Sequence, residues 1–212
     1  MTQPPLLDSS SAAPREMRFA VVDLETTGGT PKAKWDKEGR FRQPSEITEV
    51  GLVNLSGVVV ETRWSSLAAI QGFLPEEIQR LTGISLPMLA GAPPWEQVAM
   101  KLIPKLEGRI WVAHHAPYDG AFLKAWLPEG VWRRHRLICT RLLAKKLIPE
   151  LPRRSLADLC TFFGITNTRA HRALQDAEAT AEALQQLIQR AETQGMDGEA
   201  FLAAGEVVWN KV

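Results

Sequence analysis

The sequence predicts an α/β domain: a mixed five-stranded sheet flanked by helices. Three observations carry that expectation. Apolar, β-rich runs fill the first third of the chain, at 18–25, 47–55 and 58–64. Helical patterns then alternate with two short apolar runs, 110–113 and 137–139. No internal repeat interrupts this order, and strands followed by alternating helix and strand build a sheet covered by helices. At 212 residues one compact domain is expected. Its boundaries are placed at a flexible leader, 1–16, a main domain, 17–190, and a C-terminal tail, 191–212.

The leader, MTQPPLLDSSSAAPRE, is rich in Pro, Ser and Ala and lacks periodicity. The first strand runs through Val21-Val22-Asp23-Leu24-Glu25 and gives way to Thr26-Thr27-Gly28-Gly29. Residues 30–45 are polar, hold two prolines and show no apolar face. They read as a long surface loop of a length that is often functional or mobile. The runs 47–55 and 58–64 meet around Asn54-Leu55-Ser56-Gly57, a hairpin signal. Pro75-Glu76-Glu77 opens a short helix that ends near Gly83. Another helix spans about 94–106, bent or ended by Pro104. After the strand 110–113, His114-His115-Ala116-Pro117 leads into a helix with Phe122, Leu123 and Trp126 toward the core. The strand 137–139 precedes a helix at about 140–147, stopped by Pro149. Ser155-Leu156-Ala157-Asp158 is a capped helix start, with Gly164 as its stop. From about Ala173, the apolar residues Leu174, Ala177, Ala181, Leu184 and Ile188 recur at steps of three and four, an amphipathic helix. Beyond Arg190 the pattern weakens.

The chain is 45% hydrophobic and 23% charged, as expected of a globular protein, and its net charge of +1 announces no partner. The charge is unevenly spread. Residues 124–154 hold nine Lys/Arg against two acids, and residues 176–206 hold seven acids against one base. Each segment alone reads as a solvated helix face, but a basic segment beside a carboxylate-rich site suits a polyanion. Cys139 and Cys160 sit in apolar surroundings without metal-ligand spacing, so buried free thiols and a reducing compartment are expected. No charged leader precedes an apolar run, and none approaches the roughly 18 residues of a membrane span. A cytoplasmic protein without a membrane partner is expected.

Chemistry concentrates at the end of the first strand. Successive side chains on a strand point to opposite faces, so Asp23 and Glu25 share one face and Leu24 takes the other. Two like charges so placed repel, and a hard divalent cation such as Mg²⁺ or Mn²⁺ relieves the repulsion. Taken alone, the pair reads more readily as a solvated strand end followed by a polar turn. Asp119 stands in the first turn of its helix and Asp176 near the start of the last long helix. Both are positions beyond strand ends, where α/β folds collect functional groups, and also positions where the helix dipole favours an acid. His171, five residues before Asp176, can reach the same cleft and take a proton from water. In isolation it is a surface histidine between Arg169 and Arg172.

Together these residues resemble a known family. Asp23-Leu24-Glu25-Thr26-Thr27-Gly28, His114-His115-Ala116-Pro117-Tyr118-Asp119-Gly120-Ala121-Phe122-Leu123 and His171-Arg172-Ala173-Leu174-Gln175-Asp176-Ala177 are similar to the three motifs of the DEDDh 3′–5′ exonucleases. Within that family they look closest to the proofreading epsilon subunit of bacterial DNA polymerase III and its stand-alone relatives. The resemblance extends through Ile78-Gln79-Arg80-Leu81-Thr82-Gly83-Ile84 and Arg153-Arg154-Ser155-Leu156-Ala157-Asp158-Leu159-Cys160. It implies a ribonuclease-H-like fold, two divalent ions (Mg²⁺ or Mn²⁺) held by Asp23, Glu25, Asp119 and Asp176, and His171 as general base. It also implies that Thr26 and Thr27 meet the terminal nucleotide, that Leu81 and Thr82 wedge near the last base, and that His115 handles substrate. The implied reaction releases nucleoside 5′-monophosphates from single-stranded or frayed DNA 3′ ends.

Two departures bear on this. His115 and Tyr118 stand where the family often has Asn and Phe, so altered substrate handling is expected. The segment beyond residue 190 is shorter than the tail by which some epsilon subunits dock, which leaves a polymerase subunit as a secondary candidate partner. Two other readings stay open at this level: an exoribonuclease acting on RNA ends, and a non-catalytic polymerase-accessory module that only binds nucleic acid.

Overall fold

The computed structural model describes residues 12–35 and 37–212, so most of the expected leader lies outside the described residues. Of its described part, Pro14–Glu16 form a single 3-10 turn in which Pro14 is buried. The chain then enters β1 (Arg18–Thr26), which becomes the central strand. A small ribbon, β2 (Lys34–Trp35) and β3 (Phe41–Arg42), stands outside the main sheet. β4 (Ile47–Ser56) and β5 (Val59–Leu67) form the expected hairpin. Three helices follow: α1 (Glu76–Thr82), α2 (Leu86–Ala90) and α3 (Trp95–Leu106). Next come β6 (Ile110–Ala113), α4 (Ala116–Trp126), α5 (Glu129–Trp132), β7 (Leu137–Cys139) and α6 (Thr140–Leu147). The chain closes with α7 (Leu156–Phe163), α8 (Ala173–Thr193) and α9 (Gly198–Gly205).

The sheet order is β5-β4-β1-β6-β7. β1 pairs antiparallel with β4 and parallel with β6, and β7 is parallel to β6. This is the mixed five-stranded sheet that the sequence predicts. β1 is apolar on both sides because both faces are covered. Ala20, Val22 and Leu24 pack with α3, α4 and α5 residues such as Leu102, Phe122 and Trp132. Phe19 and Val21 face a second core with Leu143, Leu184 and Phe201. Burying each such aliphatic or aromatic side chain is worth roughly 1.5–3 kcal/mol, so the central strand is strongly specified.

α3 runs through Pro104 to Leu106, within the expected bounds of about 94–106. Two local expectations meet a different outcome. Residues 30–45 are not a plain loop, because Trp35 and Phe41 pair edge-to-face at 5.3 Å across β2 and β3 while staying exposed. Two-residue strands are too short for a period-two pattern to reveal. Past residue 190, α8 continues to Thr193, and α9 buries Phe201 and Leu202 completely in the second core. α9 is only eight residues long, so its apolar face gives too few repeats to stand out as periodic.

A glycine sets how α8 meets the sheet. A Cβ on Gly51 of β4 would overlap the backbone of Ala173 and Leu174. The first turn of α8 therefore lies directly on the strand, an approach that only glycine permits. Gly51→Ala should cost more than about 2 kcal/mol and displace the α8 start. Thermal denaturation checks the first effect and nucleotide turnover the second; a stable, active variant would contradict the close packing.

Candidate active site

β6 ends early. Its last matched pair with β1 is Val21 opposite Val112, so beyond that point β1 has, among the described residues, no strand partner on its β6 side. Asp119 fills the gap: the Leu24 N–H donates to Asp119 Oδ1 at 3.1 Å. His115 is the N-cap of α4, and Asp119, in its first turn, points back at the strand end. Leu24 faces the opposite layer, as alternation requires, and lies in the first core. Asp23 and Glu25 share the face that α8 covers.

α8 brings the rest. Asp176 is buried near its start and is held on both oxygens. Asn167 Nδ2 donates to Oδ1 at 2.5 Å, and the His171 backbone N–H donates to Oδ2 at 2.9 Å. Ligand atoms of Glu25, His171 and Asp176 lie within 4.8 Å of one another. The His171 side chain is exposed, and its backbone has φ 62°, the left-handed region. That conformation is uncommon for a residue with a Cβ, although His tolerates it better than most. Neighbouring contacts hold it. Arg172 donates bidentately to Glu49, from Nη2 at 2.7 Å and Nε at 3.0 Å, and the Ala173 N–H adds a bond to Glu49 Oε2 at 3.1 Å.

Electrostatics show how tightly the carboxylates converge. Burial, then the charges of Asp119, Asp176, Glu25 and Glu49, holds Asp23 well above the usual carboxylate range. Glu25 is pushed up to about 8, by burial first and then by Asp176, Glu49 and Asp119, with Arg172 opposing. Burial raises Asp119 to about 7 against the pull of hydrogen bonds from its own backbone and Leu24. A cluster this crowded with acids, whose one adjacent cation is already bound to Glu49, has the donor chemistry of a hard divalent-ion site.

The sign of the consequence is fixed. Between about pH 4.5 and 8, folded Glu25 holds a proton that the unfolded chain has lost. Without divalent ions, stability therefore falls as pH rises through that window and levels off above it. The melting temperature in chelator should drop by roughly 5–10 °C across it, Mg²⁺ should reverse the drop at pH 8, and Glu25→Gln should reduce it, with Asp119 and Asp23 supplying the remainder. A rising or flat profile in wild-type protein would refute the coupling.

The other expected site residues divide. Thr26 Oγ1 donates to the Gly28 carbonyl at 2.7 Å and lies 2.5 Å from Tyr118 Oη. Thr27 Oγ1 accepts from the Glu46 N–H at 2.9 Å. Both hydroxyls thus hold the turn after β1. Tyr118 uses the phenolic oxygen that Phe would lack, donating to the Gly28 carbonyl at 3.1 Å. Thr82 is buried, donates to the Ile78 carbonyl at 2.8 Å and accepts from the Ile84 N–H at 3.0 Å. Its hydroxyl is engaged in closing the end of α1. Leu81 beside it is half exposed. His114 is neutral, its pKa pushed down to about 4 chiefly by burial. Because its Nε2 faces the Arg154 carbonyl at 3.0 Å, that nitrogen carries the proton and Nδ1 accepts from Thr140 Oγ1.

Glu49, Arg172 and Asn167 escaped the sequence reading. A signal for Glu49 existed: an acid in the middle of Ile47-Thr48-Glu49-Val50-Gly51-Leu52-Val53 is a buried charge that needs a partner. Nothing local could name Arg172, which lies 123 residues away.

A profile of the RNase T exonuclease family matches residues 20–184. The chain belongs to that family. Among curated relatives it is 34% identical over 166 residues to the DNA polymerase III subunit epsilon of Aquifex aeolicus, covering 77% of each. It is also 36% identical over 192 residues to a putative bifunctional exonuclease/endonuclease protein of Mycobacterium tuberculosis, 89% of this chain but 29% of that protein. The chain thus spans under a third of the latter. Among solved structures it is similar to exonuclease X in complex with 5′-overhanging duplex DNA, with TM-score 0.64 and 26% identity over 88% of this chain and 98% of the other. The nuclease domain of 3′hExo, a DEDDh family member bound to rAMP, shares the fold at TM-score 0.65 and 18% identity, over 84% of this chain and 94% of that one. The exonuclease fold and family expected from the three motifs are those of the chain.

Proposed function

We propose that this exonuclease-family chain is a metal-dependent 3′–5′ exonuclease that removes nucleoside 5′-monophosphates from single-stranded or frayed DNA 3′ ends. One observation carries the reading: Asp23, Glu25, Asp119 and Asp176, from β1, α4 and α8, converge with His171 at a strand end. The four carboxylates would hold two divalent ions, Mg²⁺ or Mn²⁺. Two ions bound there would supply an ionised water and offset charge on the phosphate and leaving oxygen. His171, exposed at the lip, would accept the proton of the attacking water. Asp119, through Leu24, keeps the strand end in register with α4. The Thr26 and Thr27 backbone would face the terminal nucleotide, with Leu81 against its base and His115 toward the phosphates.

A DNA substrate and a polymerase or repair setting are favoured by the epsilon-subunit relative. A cytoplasmic location accords with buried free cysteines and with the lack of a described helix long and apolar enough to cross a membrane. The test is a time course on 5′-labelled single-stranded DNA, matched and mismatched duplex, and RNA, with Mg²⁺ and with Mn²⁺. The expected result is a ladder that shortens one nucleotide at a time, faster on DNA than on RNA in direct competition. Immediate release of the labelled end would refute 3′–5′ polarity, and inertness on all substrates would refute the activity.

A further inference from the structure

Four of the nine cations in the basic segment 124–154 are engaged elsewhere in the fold. Arg136 pairs with Glu199 and Glu206, Arg133 with Glu129, and Arg134 with Glu107. Lys124 donates to the carbonyls of Trp209 and Val212. Four of the other five gather in one place. A groove of about 1080 Å³ is lined by Arg141, Lys145, Arg153 and Arg154, with His115 at one edge and Asp158 as its single acid. Asp158 is itself occupied, accepting from the Ser155 N–H at 3.0 Å and hydroxyl at 2.6 Å in the capping box of α7. Arg141 and Lys145 are exposed and, among the described residues, have no acidic partner.

The placement is specific. Arg141 and Lys145 are four residues apart on α6, hence on one face and about 6 Å apart along the axis. The far wall is fixed to the strand end through neutral His114, which bridges Thr140 at the start of α6 to the Arg154 carbonyl. His115, which borders the groove, precedes Asp119 by one helical turn. A polyanion leaving the carboxylate cluster past the N-terminus of α4 therefore enters a channel with one engaged acid and four cations, of which Arg154 also donates to the Ile148 and Pro149 carbonyls. Like charges in a rigid channel are costly to leave facing one another and are stabilised by phosphates.

We propose that this groove grips the phosphodiester backbone of the cleaved strand, upstream of the scissile linkage, and so makes catalysis dependent on substrate length. The proposal rests on the exonuclease reading above and adds a binding site to it. Its test compares wild type, Arg141→Ala/Lys145→Ala and Arg153→Ala on a deoxydinucleotide and on single-stranded DNA of roughly twenty nucleotides. The double variant should lose about tenfold or more in kcat/KM on the long strand, through KM, with dinucleotide turnover unchanged. Its log–log salt dependence of binding should become shallower by about 1.4, for two lost phosphate contacts on a single strand. Equal losses on both substrates, or no loss on the long strand, would each overturn it. If wild type releases no nucleotide from either substrate, the exonuclease reading fails by itself. The groove is then decided by fluorescence anisotropy with the same labelled strand, where an unchanged salt slope in the double variant overturns it.

Discussion

Asp23→Asn should abolish nucleotide release while making the metal-free protein more stable. The two effects have one cause. Asp23 is recessed among Glu25, Asp119, Asp176 and Glu49, and its charge is opposed by all of them. In chelator at pH 8 the neutral amide removes that repulsion, so the melting temperature should rise by several degrees. In Mg²⁺ or Mn²⁺ the same amide is a poor ligand for a hard cation. Losing about 4 kcal/mol of transition-state stabilisation corresponds to roughly a thousandfold in turnover. Asp176→Asn should lose activity similarly, but should not gain stability, because Asp176 also accepts from Asn167 and the His171 backbone. Turnover and melting, each with and without divalent ion, separate these outcomes from unfolding. An active Asp23→Asn protein would remove the carboxylates from the reaction.

The second large effect concerns His171. His171→Ala should lower kcat by about 10²–10⁴, the usual range for a lost general base, with the metal-induced gain in melting temperature largely kept. His171→Gly is the sharper variant. The backbone there has φ 62°, where glycine carries no Cβ penalty, so stability should hold or rise while activity is lost. Unchanged turnover in either variant would end the general-base role. The same argument reaches Glu49, which lies opposite Glu25 in the β1–β4 pair and holds Arg172 and the Ala173 N–H. Glu49→Gln should reduce kcat by about 10–100-fold with little change in KM, as expected when a supporting contact is removed. Arg172→Lys should not rescue the geometry, because an ammonium cannot form the bidentate pair.

Much of this was legible in the chain. The strand Val21-Val22-Asp23-Leu24-Glu25 states its own alternation, so the shared face of Asp23 and Glu25 followed from backbone geometry alone. The amphipathic stripe of α8 and the Ser155–Asp158 capping box are local, and local rules found them. The three motifs together marked the family, although each alone was ambiguous. What the sequence left undecided depends on contacts between residues far apart along it. That β6 stops short and leaves the Leu24 N–H to Asp119 is a matter of strand register, which no local pattern encodes. The Glu49–Arg172 pair, the close seating of α8 on Gly51, and the sorting of one basic run into paired arginines and an open groove are equally non-local. Periodicity reports which side of an element is buried. Only the packed structure decides which partner each buried charge meets, and here those partners shape the site.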